Sequence, residues 1–167
     1  MSEDGAVATV GVPDAWRAAA STAVMMSGRH FAQFTKLAGN NMKFGVVGSD
    51  WDVEGGMNSY NIDGHCFYQT FDGRRFPGST DCEGQQPARQ HGDRIGMLLD
   101  LDQGSMTVWK NDVRLGVMQA EGLSGPLCWG VSLPPMLAAN ARMESTPAPQ
   151  SPTEEELAKA KAWQAAR

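Results

Sequence analysis

Between Ile95 and Val117 the chain sets three short apolar-rich runs against two turn-forming pairs, a pattern that leaves room for little except antiparallel β-structure. The runs are Ile95-Gly96-Met97-Leu98-Leu99-Asp100-Leu101-Asp102, Ser105-Met106-Thr107-Val108-Trp109-Lys110 and Val113-Arg114-Leu115-Gly116-Val117. Gln103-Gly104 divides the first two. Asn111-Asp112 divides the last two and tolerates the positive φ that a two-residue hairpin turn demands. Side chains alternate along a strand, so Met106 and Val108 face one side and Thr107 and Trp109 the other. A meander of three antiparallel strands is predicted.

The rest of the chain from Val7 to Leu137 follows the same grammar, with apolar runs cut by Gly, Asp, Asn and Pro. Phe31-Ala32-Gln33-Phe34-Thr35, Phe44-Gly45-Val46-Val47-Gly48 and Leu127-Cys128-Trp129-Gly130-Val131-Ser132-Leu133 read as further buried strands, with Trp109 and Trp129 as core residues. Asp14 to Met26 is ambiguous, because its alanines and an Asp14 N-cap permit a helix as well as a strand. Between Ser49 and Gln90 turn signals recur at Gly55-Gly56, Asp63-Gly64, Asp72-Gly73, Pro77-Gly78 and Glu83-Gly84, so long loops and short strands are expected.

After Ala141 the character changes. Ser145-Thr146-Pro147-Ala148-Pro149-Gln150-Ser151-Pro152 reads as an extended linker, and Thr153 with Glu156 forms a capping box ahead of a short helix. Leu157 and Trp163 lie roughly 120° apart on that helix, which therefore lacks a strong apolar stripe and is expected to fray. The predicted plan is a flexible N-terminus over 1–8, a β-sandwich domain over 9–138, a Pro/Ser/Thr-rich linker over 139–153 and a helix over 154–167, with the tail from Ser145 dispensable for folding.

Charge and cysteine usage narrow the function classes. The net charge is −5 and the basic residues are scattered, with only Arg74-Arg75 adjacent, which argues against a phosphate-tracking nucleic-acid surface. No stretch approaches the 18 or more consecutive apolar residues of a spanning helix, so no membrane association is expected. Ser2-Glu3-Asp4 is unlike a secretory leader. Cys66, Cys82 and Cys128 are odd in number and lack CxxC spacing. An intracellular protein, cytoplasmic or nuclear, with reduced and buried cysteines is expected.

The stretch from Gly92-Asp93-Arg94-Ile95-Gly96 to Gly116-Val117 resembles the central signature of SPRY domains, a GD-x-(I/V)-G strand, an acidic turn and an aromatic strand ending in Asn. Gly122-Leu123-Ser124-Gly125-Pro126-Leu127 and Val131-Ser132-Leu133 look like that family's closing elements. Ser27-Gly28-Arg29-His30-Phe31-Ala32-Gln33-Phe34 is similar to its S-G-x-x-Y-x-E-(V/F) strand, with Phe31 for Tyr and Gln33 for Glu. The resemblance runs from Thr9 to Ala138. It implies an all-β fold, a two-sheet antiparallel β-sandwich of concanavalin-like jelly-roll type, whose loops at one end bind a partner protein or peptide. Such domains often serve as the substrate-reading part of larger assemblies, ubiquitin-ligase adaptors among them. No RING-like Cys/His spacing accompanies this one, and Pro134-Pro135-Met136 stands where the best-known peptide binders carry an aromatic.

Aromatic and arginine side chains dominate binding energy at interfaces, so Trp51, Tyr60, Tyr68, Arg74 and Arg75 are the candidate partner-binding residues, with Phe67 a lesser one. A monomer that works without catalysis or cofactor is expected. No metal site is expected, because His30, His65, His91, Cys66, Cys82, Asp72 and Asp81 match no closed zinc spacing. For an enzyme the sequence offers only the Asp50/Asp52 pair, with no nucleophile elbow, Walker loop or dinucleotide fingerprint. An intracellular carbohydrate-binding sandwich is the alternative reading, since exposed aromatics on β-loops also stack on sugar rings.

Overall fold

The computed structural model describes residues 6–11, 16–53, 58–135 and 138–166. Eleven strands are formed within them: β1 (Ala6–Thr9), β2 (Arg17–Ala20), β3 (Arg29–Ala38), β4 (Lys43–Gly48), β5 (Cys66–Gln69), β6 (Arg75–Phe76), β7 (Arg94–Asp100), β8 (Ser105–Lys110), β9 (Val113–Gln119), β10 (Leu127–Leu133) and β11 (Asn140–Thr146). One helix, α1 (Glu154–Ala165), follows. A 3-10 turn at Ser59–Asn61 interrupts the loop between β4 and β5.

The strands form two antiparallel sheets, a six-stranded one in the order β1-β11-β3-β7-β8-β9 and a five-stranded one in the order β2-β10-β4-β5-β6. Alternation puts Ala32 and Phe34 of β3, Ile95, Met97 and Leu99 of β7, and Met106 and Val108 of β8 against Phe44 and Val46 of β4 and Trp129 and Val131 of β10. The Phe34 ring stacks on Phe44 with centroids 5.0 Å apart and meets Trp129 edge-on at 5.8 Å. The meander is as expected: Asn111 and Asp112 have φ of 48° and 70°, and Gly104 has φ of 72° beside the backbone of Gly122 and Leu123.

Three expectations need correction. Ala6–Ala8, placed in a flexible N-terminus over 1–8, join Thr9 in β1 and pair with Asn140–Met143; of that stretch only residues from 6 onward lie among those described. The sandwich does not stop at 138, because β11 occupies the predicted linker and sits between β1 and β3, paired from Asn140↔Ala38 to Thr146↔Phe31 with one register shift between Asn140 and Ala141. Its Ala141 and Met143 point into the core, so strand pairing on both sides and apolar burial outweigh the flanking prolines. Trp109 is half-buried on the outer face of the six-stranded sheet, edge-on to Phe31 at 5.5 Å, and so is not a core residue. In the ambiguous 14–26 region Arg17–Ala20 is strand, while Asp14 lies outside the described residues, as do Gly55-Gly56, Met136 and Arg167.

The tail is docked. Residues 147–153 run outside helix and strand as a strap over the outer face of the six-stranded sheet, held by Arg29 Nη1 to the Pro149 carbonyl at 3.2 Å and Gln103 Nε2 to the Pro152 carbonyl at 3.0 Å. The Thr153/Glu156 capping box forms as predicted. Helix α1 then packs Ala160, 2% exposed, and Leu157 on Val117 and Ala120. Polar contacts replace the missing apolar stripe: Arg114–Glu156 at 3.0 Å, Lys159–Glu83 at 3.0 Å, Lys161–Glu121 at 2.9 Å, and Gln164 Nε2 to the Met118 carbonyl at 3.1 Å.

Candidate functional site

The loops after β4 and β5 gather on the outer face of the five-stranded sheet. Lys43 projects there because Phe44, next along β4, turns into the core. Gly45 lets β4 and β5 close up beneath it, since a Cβ at that position would lie 1.9 Å from the Cys66 carbonyl oxygen. Val47, Phe67 and Cys128 make an apolar floor, on which Trp51, Tyr60 and Phe76 pack.

Over this floor three rings collar a lysine. Lys43 Nζ lies 3.8 Å from the Trp16 ring centroid, 4.0 Å from Tyr60 and 4.9 Å from Phe76. Tyr60 meets both other rings edge-on, at 5.2 and 5.7 Å. Lys43 is 3% exposed, and loss of hydration pushes its ammonium down to about 8, a fall that the charge of Asp72 partly offsets. Ring faces are attractive to a cation but accept little hydrogen bonding, so they compensate only part of that desolvation. Burial also raises the Tyr60 phenol.

Trp51 stands at the edge of the same cluster, edge-on to His65 at 5.6 Å. His65 is buried and donates from Nδ1 to the Ser59 carbonyl at 2.8 Å, which fixes the loop that carries Tyr60. Burial lowers the imidazole's pKa, with the Ser59 hydrogen bond and the Asp50 charge acting the other way. Asp50 and Asp52, the only carboxylate pair considered for catalysis, are exposed in the turn after β4.

The five predicted binding residues separate. Tyr60 is a half-buried member of the collar and Trp51 its half-buried neighbour. Arg74 keeps its side chain 44% exposed; its Nε donates to Asp81 at 3.0 Å, and Asp72 accepts its backbone N–H at 3.0 Å. Tyr68 does not belong to the surface: it is 2% exposed on the inward face of β5, and its hydroxyl donates to the Gln86 carbonyl at 2.6 Å. Arg75 is half-buried and turned toward the other sheet, donating to Gln119 Oε1 at 3.0 Å and Thr80 Oγ1 at 3.4 Å. It lies beside Cys66 and Cys82, whose thiols burial raises to about 12 and about 11. Phe67 is floor. Trp16, Lys43, His65 and Phe76 were not singled out as site residues from sequence, because each comes from a different segment.

All three cysteines are free and buried, and no cluster of three or more metal-ligating side chains occurs among the described residues. No helix among them is long and apolar enough to cross a membrane. A groove of about 320 Å³ opens elsewhere, at the seam between β1 and β2, walled by their alanines with Trp129 and Met143. Among the described residues it brings no titratable side chain together.

No family model matches the sequence, and no curated protein matches it. Solved structures do match in fold. The SPRY domain of human HERC1 superposes with a TM-score of 0.69 over 89% of this chain and 94% of that one, at 14% identity. A second human SPRY domain gives 0.58 over 78% and 84%, at 16% identity. The chain shares the SPRY β-sandwich, as the sequence motifs implied.

Proposed function

We propose that this SPRY-fold chain is a non-catalytic interaction module that recognises a partner protein or peptide through the loop cluster on the five-stranded sheet, as a recognition or scaffold subunit acting as a monomer. One observation carries the reading: Trp51 and Tyr60 remain partly exposed outside the sandwich core, and Arg74, in the loop that follows β5, keeps its side chain 44% exposed. Sandwich formation requires inward-facing apolar residues and leaves these three available, and half-exposed aromatics with arginine are the side chains that most often dominate interfaces. The fold likeness to SPRY domains supports the same class of role. Intracellular residence fits the three free, buried thiols.

Crosslinking mass spectrometry on the native protein names the partner, and paired measurements on variants test the site. Trp51→Ala and Arg74→Ala should each weaken affinity for that partner by more than about 1 kcal/mol. Melting temperature should change less than affinity, Arg74→Ala least. Full affinity in two stable variants refutes the loop surface.

A further inference from the structure

Besides the Arg29 and Gln103 hydrogen bonds to its backbone, the strap over the six-stranded sheet is latched by a side chain of its own. Ser151 Oγ donates to Asp100 Oδ2, and the other oxygen of that carboxylate accepts the N–H groups of Asp102 and Gln103, each at 3.0 Å. Ser151 is thereby tied to the turn that joins β7 to β8. Asp100 is buried, whereas Ser151 is half-exposed, outside helix and strand, and followed directly by Pro152, which is buried until the strap lifts. Between strap and sheet lies a cavity of about 270 Å³, bounded by Phe31, Gly96 and Trp109 on one side and Pro147, Ala148 and Pro149 on the other.

We infer that Ser151 is a modification site for a proline-directed, ATP-dependent serine/threonine kinase, and that phosphate there releases the strap and α1 from the sheet. In the transfer the bond from the γ-phosphorus to the bridging oxygen of ATP breaks and a bond to Ser151 Oγ forms. ADP leaves, and the hydroxyl proton passes to the kinase's base. The product has lost the donor that held Asp100 and carries a charge of about −1.5 to −2 beside a buried carboxylate. Asp102, in the same turn, adds a further negative charge. The nearby cation is Arg29, opposite Asp100 in the β3–β7 register, and it already holds the Pro149 carbonyl. Helix α1 has few apolar contacts of its own, and a 12-residue helix detached from its support is marginal in water. This latch lies on the other sheet from the loop cluster, so it stands whether or not that cluster binds a partner.

The test uses the full chain, treated with a proline-directed kinase and ATP, then site mapping and amide hydrogen exchange by mass spectrometry. A second preparation carries genetically encoded phosphoserine at 151. Phosphate is expected at Ser151, with exchange across Glu154–Ala165 rising about tenfold or more while β3, β7 and β8 keep their protection. Ser151→Ala, which loses one hydrogen bond and gains no charge, should raise exchange less. Asp100→Asn in the phosphorylated chain should restore part of the protection. Phosphate confined to Thr146, which also precedes a proline, overturns the proposal. So does a phosphoserine chain whose α1 protection is unchanged or increased, the latter meaning that the phosphate pairs with Arg29.

Discussion

At Lys43 the physics of a single residue fixes the sign of a measurable effect. The ammonium is buried under Trp16, Tyr60 and Phe76 with a folded-state pKa of about 8, below the unfolded value of 10.5. Between those two values the unfolded chain binds more protons than the folded one, so this contribution to stability rises with pH. Below about pH 8 both states are protonated and the cost of burying the charge is fully felt. Lys43→Met keeps the volume and removes the charge; it should stabilise the protein at pH 7 by on the order of 1–3 kcal/mol. The advantage should shrink toward pH 10. Urea unfolding of both proteins at the two pH values checks it, and the difference between them cancels the tyrosines and thiols that titrate in the same range. Asn111 tests the turn: it holds φ of 48°, accepts the Arg94 N–H at 2.9 Å and donates to Asp93 at 3.1 Å. Asn111→Val should cost about 1–3 kcal/mol and lower the melting temperature by several degrees. The turn was legible because it needs two adjacent residues of one type. The lysine collar was not, since Trp16, Lys43, Tyr60 and Phe76 converge only once β2, β10, β4, β5 and β6 have paired.

Among the elements, β11 and α1 separate two kinds of attachment: the sequence reading put β11 in a linker over 139–153 and made the tail from Ser145, α1 included, dispensable. The alternation was present in Asn140-Ala141-Arg142-Met143-Glu144-Ser145-Thr146, but its inward side chains are only alanine and methionine, and three prolines follow closely. Helix α1 was legible from its capping box, whereas its docking was not, because ion pairs to Glu83, Arg114 and Glu121 leave no apolar periodicity to read. A chain ending at Thr146 should keep a folded sandwich while losing about 1–3 kcal/mol from exposure of Val117 and Ala120. A chain ending at Ala139 should fail to fold, because β1 and β3 then lose their common neighbour. Circular dichroism melts of the two truncations distinguish these outcomes.

At the scale of the whole molecule, each sheet is assembled from segments far apart in sequence, with β2 against β10 and β1 against β11. Fold class was nevertheless accessible from local signals, since turn chemistry and apolar runs recur through the chain and the SPRY-like motifs lie in order along it. Strand order could not be read, because nothing local in β1 names β11 as its partner. Topologies dominated by non-local pairing fold in milliseconds to seconds once the chain is complete. The interior position of β11 adds a further delay during synthesis. Ribosomes add about 5–20 residues per second, so roughly ten seconds separate the emergence of β3 from that of the strand that completes its sheet. Through that interval the nascent chain presents the unpaired backbone edge of β3 and its core-facing Ala32 and Phe34. Until Thr146 has been made, the growing polypeptide therefore carries an open strand edge on which a second chain could pair.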